Sequence, residues 1–241
     1  IVMAASDEAE LVRMINTSIE INDRPCAFRY PRGTGTGVVL PSINEKIEIG
    51  KSKLIQEGKK LAILNFGARL EETLIAAGNL KKKGVEITIV DARFAKPLDE
   101  NLIWQLAITH EAIMTIEEGS IGGFGSHVVN FLSKKGLLDN NLKFRSMTLP
   151  DIFIDQDTPS NMYKTANLDS ISIEEKNRRA IEKQLKLETT DWDAIVKLST
   201  SQHVLPALYC NLKRVDLLRY LPQELVSYMK NIANINTDGY K

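Results

Sequence analysis

Between residues 61 and 149, short apolar runs alternate with stretches whose apolar positions recur at helical spacing, and no other feature constrains the fold as tightly. The runs are LAILNF (61–66), VEITIVD (85–91), AIMTIEE (112–118) and LKFRSMTL (142–149). Each has the length and β-branched content of a buried strand. Between them lie Leu70, Leu74, Ala77 and Leu80 on one helix face, Leu102, Ile103 and Leu106 behind Asp99 as N-cap, and a third helix over Ser126–Leu132. Strands joined through helices need crossover connections, so the expected fold is α/β: a mixed, mainly parallel sheet flanked by helices, occupying residues 49–172.

Upstream, residues 1–3 are apolar, and Asp7 and Glu10 stand at capping-box spacing before Leu11, Met14, Ile15 and Ile19. A second strand, CAFRY (26–30), leads into a glycine–threonine segment and an aperiodic stretch read as a linker over 41–48. In ARFAKPLDE (92–100), Pro97 ends an extended segment. Downstream, 173–187 is a charged helical linker and 188–241 a small all-helical appendage. Its helices are marked by Trp192, Ile195 and Val196, by Val204–Leu212, and by Leu225, Tyr228, Met229, Ile232 and Ile235 behind Pro222 in a first turn.

Lysine plus arginine and aspartate plus glutamate each number 31, so the formal net charge is zero and no broad footprint for nucleic acid or an anionic membrane exists. Any anion site must be local. Cys26 and Cys210 are too far apart in sequence for a disulfide framework and fit a reducing compartment, so a cytoplasmic location is expected. No apolar run approaches the roughly 20 residues of a membrane span. Ile1 opens directly on a strand, so the sequence reads as starting inside a longer protein.

The local anion candidate is Arg32 in CAFRYPRGTGTG, set between Pro31 and Gly33. A guanidinium fixed by proline and flanked by pliant glycine backbone presents a planar fork to phosphate or carboxylate. The plainer alternative is that Arg29 and Arg32 form salt bridges at a domain edge. EEGSIGGFGSH (117–127) lies where a dinucleotide fingerprint would, but glycines at 119, 122, 123 and 125 do not give that spacing. Tight packing of the turn, or a subunit contact, explains it better. Glu117 and Glu118 are adjacent on a strand and point to opposite faces, so they are not expected to act together. His110, His127 and His203 have no partner at metal-ligand spacing, and no residue set makes a metal site or a self-sufficient catalytic constellation.

Taken in order, VMAASDEAELVRM, CAFRYPRGTGTG, IEIGKSKLI, LAILNFG, ITIVDARFAKPLDE, MTIEEGSIGGFGSHV and LPDIFIDQDT resemble the carboxy-terminal part of the 1-deoxy-D-xylulose-5-phosphate synthases. The resemblance covers residues 1 to about 172. It implies that 1–40 end a thiamine-binding pyrimidine domain and that 49–172 form a transketolase-type carboxy-terminal domain. It also implies a reaction in isoprenoid precursor synthesis, the condensation of pyruvate with D-glyceraldehyde 3-phosphate with loss of carbon dioxide. Thiamine diphosphate with Mg2+ is the implied cofactor and a homodimer the implied assembly, with 119–125 and 92–99 as candidate contacts. Arg32 would hold the aldehyde's phosphate, with Arg29, Tyr30 and Gly33 shaping its surroundings. The cofactor-binding and catalytic residues would lie upstream of Ile1, so the chain alone is expected to be inactive. The β component of a 2-oxoacid dehydrogenase shares this fold and is the alternative enzyme. A noncatalytic dimerisation module with a partner-binding tail is the alternative of another class. From about residue 188 the chain is similar to the leading helical region of a nucleotidyltransferase-like family. Asp191 and Asp193 lack the preceding Gly-Ser that such transfer needs, so no nucleotidyl transfer is expected. Two joined genes or an assembly artefact would both give such a junction.

Overall fold

The computed structural model describes residues 1–139, 141–185, 199, 204–214 and 216–238. Two compact units form: Ile1–Gly78 with Glu86–Ile173, and Asn79–Val85 with Glu174–Lys241.

The first unit contains two sheets. Five strands, β3 (Lys53–Gln56), β4 (Leu61–Phe66), β5 (Thr88–Asp91), β7 (Ala112–Glu117) and β8 (Lys143–Met147), are ordered β3-β5-β4-β7-β8. Only β3 runs antiparallel to its neighbour; β5, β4, β7 and β8 are parallel. Every residue of β4 and β5 is buried, as expected of strands covered on both faces. Helices α2 (Leu70–Lys82), α3 (Glu100–Thr109) and α4 (Phe124–Lys134) make the crossovers. Leu64, Val90, Ile103, Phe124, Val128 and Leu132 belong to the main core, where the Phe66 and Phe124 rings stack 4.8 Å apart.

The smaller sheet is ordered β2-β1-β6, with β1 (Val2–Ala4) parallel to β2 (Ala27–Arg29) and antiparallel to β6 (Phe94–Lys96). Helix α1 (Glu8–Ile19) packs on it through Met14, which shares a second core with Met3, Ala5, Ile47 and Phe94. Asp7 caps α1, its Oδ1 accepting from Glu10 N at 2.7 Å, and Asp99 caps α3 by accepting from Leu102 N at 3.2 Å.

Several expectations are corrected. Strand 85–91 begins only at Thr88, because Val85 N donates to Leu80 O and closes the end of α2. Within that helix the buried positions are Leu70, Thr73, Ala76, Ala77 and Leu80, while Leu74 is 38% exposed. Segment 92–99 contains β6 and is mostly buried, with Lys96 and Pro97 exposed. The stretch 41–48 is fastened to α1: Arg13 Nε donates to Glu45 Oε1 at 2.7 Å, Asn16 Nδ2 to Glu45 O at 3.0 Å, and Ile47 N to Thr17 Oγ1 at 3.0 Å. A further helix, α5 (Pro159–Thr165), is capped by Thr158.

In the second unit, the charged stretch belongs to α6 (Ser170–Leu185), whose first residues Ser170–Ile173 fall in the first unit. Helices α7 (Leu205–Arg214) and α8 (Gln223–Asp238) pack through Leu205, Tyr209, Leu221 and Met229, with Leu225 and Ile232 against them. Tyr228 is 45% exposed rather than part of that stripe. The expected helix at Trp192, Ile195 and Val196, the side chain of Ile235, and Asp191 and Asp193 lie outside what the structure describes. No described helix is long and apolar enough to cross a membrane.

Candidate functional site

In open parallel sheets, ligand sites form at the carboxyl ends of the strands. Here those ends belong to β4 and β7, followed by Gly67 and Glu118, and β2 delivers Arg29 to them. The Arg29 Nη2 donates to Phe66 O at 3.0 Å, the guanidinium carbon sits 5.3 Å from the Phe66 ring centroid, and Glu118 Oε2 is 3.9 Å away. Gly67 makes room for it: a Cβ there, where φ is +101°, would lie 2.7 Å from Arg29 Nη2.

Glu118 also meets Arg69 Nε at 3.3 Å and accepts a short hydrogen bond from the Tyr163 hydroxyl. The Arg69 guanidinium stacks 3.4 Å from the centre of the Tyr163 ring. Burial, reinforced by the Glu118 carboxylate, pushes the Tyr163 phenol up to about 12, so it stays a donor. Two arginines thus share one carboxylate, and the helix bearing Tyr163 is drawn onto the strand ends.

Glu117 points the other way, as alternation along a strand requires. Its carboxylate accepts from Phe124 N at 3.0 Å and Gly125 N at 2.8 Å, neutralising free amides at the start of α4. The glycine-rich turn follows from this contact. A Cβ on Gly123 would fall 2.3 Å from Glu117 Oε2, and one on Gly125 would fall 2.5 Å from Ser146 Oγ.

The residues singled out in sequence separate into two groups. Arg29 is taken up internally, as the salt-bridge reading expects. Tyr30, Arg32 and Gly33 are exposed, and among the described residues Arg32 has no hydrogen-bond or ion-pair partner. Sequence reasoning missed Glu8, whose carboxylate receives the backbone of the segment after Arg32: Thr36 N and Oγ1, both at 3.0 Å, Gly37 N at 2.6 Å and Val38 N at 3.1 Å. Nothing distinguishes Glu8 from any other acid in a first helical turn until the chain has folded.

A buried polar cluster joins the two sheets. Glu10 accepts from Arg93 Nε at 2.7 Å and Nη2 at 2.8 Å and from Arg13 Nη1 at 3.0 Å. Asp91 accepts from Ser6 Oγ at 2.6 Å and Arg93 N at 3.2 Å. Of the histidines, His110 shares hydrogen bonds with the hydroxyls of Thr88 and Thr109, and burial lowers its pKa; His127 is exposed; His203 lies outside the described residues. Cys26 and Cys210 are unpaired thiols. No three His, Cys, Asp or Glu side chains among the described residues gather as cation ligands.

Residues 50–173, just over half of the 241, match the family described as "Transketolase, C-terminal domain". The chain belongs to that family. A solved structure described as a split-gene transketolase in an inactive β4 tetramer shares 25% identity with it, at a TM-score of 0.60. That match covers 72% of this chain but 55% of the other, so this transketolase C-terminal chain spans about half the length of the protein it matches. The family is one of thiamine-diphosphate-dependent enzymes. A metal–diphosphate site does not fit the donor set of the described residues, which offers no acidic or imidazole cluster for the cation.

Proposed function

We propose that this chain is the carboxy-terminal portion of a thiamine-dependent transferase of the 1-deoxy-D-xylulose-5-phosphate synthase type, working with a separate portion that holds the cofactor. In such an enzyme thiamine diphosphate, anchored through Mg2+ by the other portion, would supply the electron sink for decarboxylating pyruvate. The task of this chain is to orient the acceptor, D-glyceraldehyde 3-phosphate. One observation carries the reading: Arg32 is exposed and, among the described residues, unpartnered, three residues beyond the Arg29 that reaches the carboxyl end of β4, in the YPRG setting of that enzyme family. A guanidinium binding the remote phosphate would fix the aldehyde relative to the reacting carbon, so that binding energy away from the reaction lowers its barrier. The similarity of the appendage to nucleotidyltransferase-like helices adds no transfer chemistry.

The test is made in the complete enzyme, this chain together with its cofactor-holding portion. Arg32→Ala removes a charge-assisted pair worth about 1.5–3 kcal/mol, so KM for D-glyceraldehyde 3-phosphate rises roughly ten- to hundredfold. KM for pyruvate stays within about twofold of its original value. Equal effects on both substrates would remove Arg32 from the phosphate.

A second copy of the chain is the proposed partner. Ile121, 81% exposed, and Phe153, 90% exposed, project from loops joined by the Leu149 N–Gly119 O bond at 2.9 Å, an apolar pairing suited to a subunit contact. The isolated chain is expected to sediment as a dimer with no thiamine-dependent release of carbon dioxide from pyruvate. A monomer at high concentration defeats the first half, and cofactor-dependent turnover the second.

A further inference from the structure

Two of the three glycines in the G-T-G-T-G run meet distinct requirements. A Cβ on Gly33 would enter open space, whereas one on Gly35 would lie 2.8 Å from Glu8 Oε1 and 2.9 Å from its Cδ. Gly37 has φ +84°, the left-handed region that glycine enters freely. The last two therefore let the backbone close around the Glu8 carboxylate. Four donors converge on its two oxygens, about as many as a carboxylate accepts. Its own backbone amide first, and then those of Thr36 and Gly37, hold the Glu8 carboxyl down to about 2.

The other end of the segment is fastened as well, by Arg29 on Phe66 O and Glu118. Between the fastenings, Tyr30 to Gly35 are exposed. Resting on the functional reading above, we propose that Glu8 is a positioning residue for the acceptor phosphate: it closes a strap over residues 29–38 whose crest presents Arg32 to a phosphate monoester. A strap held at one end only would have to be ordered anew by each ligand, and that lost freedom subtracts from affinity.

The test uses the full chain and glycerol 3-phosphate, an unreactive monoester, whose binding is read by isothermal titration calorimetry, with amide hydrogen exchange measured over residues 33–38. Glu8→Gln keeps the size but replaces one acceptor oxygen by a donor. It is expected to speed exchange of the Thr36, Gly37 and Val38 amides by roughly tenfold or more and to weaken the monoester by about two- to tenfold. Gly35→Ala, which leaves α1 untouched and crowds the carboxylate out of the strap, should do the same. Arg32→Ala should abolish binding while leaving the exchange rates as they are. If Glu8→Gln and Gly35→Ala bind the monoester like the parent while Arg32→Ala does not, Glu8 has no positioning role and the functional reading stands. If Arg32→Ala binds like the parent, that reading falls, and the role of Glu8 toward the phosphate falls with it. Unchanged exchange in both strap variants overturns the strap itself.

Discussion

Replacing Glu10 by alanine is expected to destabilise the chain by about 3–5 kcal/mol, the usual consequence of removing one member of a buried ion pair. The Glu10 side chain is 2% exposed and faces three cations: Arg93 through two bonds, Arg13, and Lys53 at 3.8 Å. Arg93 is itself only 13% exposed and leaves the β5 end with φ +56°, so it cannot turn to solvent without disturbing β6. Alanine would strip the carboxylate from this cluster and leave a guanidinium dry and unpaired. Urea titration reads the loss as a lower midpoint at unchanged slope. Glu10→Gln, which keeps an acceptor oxygen, should lose less. A loss under about 1 kcal/mol for alanine would mean that water reaches Arg93 and that the cluster is worth no more than a surface pair.

The neighbouring Asp91 should make stability fall as pH rises. Burial pushes its carboxyl up to about 7, with the Glu10 charge adding to the shift and Ser6 and Arg93 opposing it. An unfolded aspartate gives up its proton near pH 4. Between about pH 4 and 7 the folded chain keeps a proton that the unfolded chain has released, and each step upward in pH favours unfolding. The stabilisation is whole below about pH 4 and gone above about pH 7, a change on the order of a few kcal/mol. Asp91→Asn keeps the shape and cannot ionise, so thermal midpoints of the two chains should diverge from pH 4.5 to 7.5 in favour of asparagine. A constant difference across that range would show that Asp91 is ionised in the folded chain throughout. In a Glu10→Ala background the divergence should shrink, since the like charge that raises Asp91 has gone.

These two carboxylates also show where sequence reading stops. Asp7 and Glu10 are spaced as a capping box, and Asp7 does cap α1, but Glu10 pairs with a residue 83 positions away. Local spacing reports only partners within a turn or two. The buried runs of β4, β5 and β7 were legible because strands covered on both faces must be continuously apolar. Strand β3, Lys53–Gln56, sits at a sheet edge and is half polar, so it carries no such signature. The candidate site was legible in the same unequal way. Proline and glycine around Arg32 suggested an exposed guanidinium, and it is exposed; alternation sent Glu117 and Glu118 to opposite faces. The grip of Glu8 on residues 36–38 and the stacking of Arg69 on Tyr163 depend on crossovers that no short motif encodes.

Strand β1 sits between β2 and β6, and Glu45 and Ile47 are bonded to α1. What looks on paper like a joint between two modules is thus bridged by a sheet that takes strands from both sides of it, so that drawing the two apart would first have to break the β1–β6 ladder.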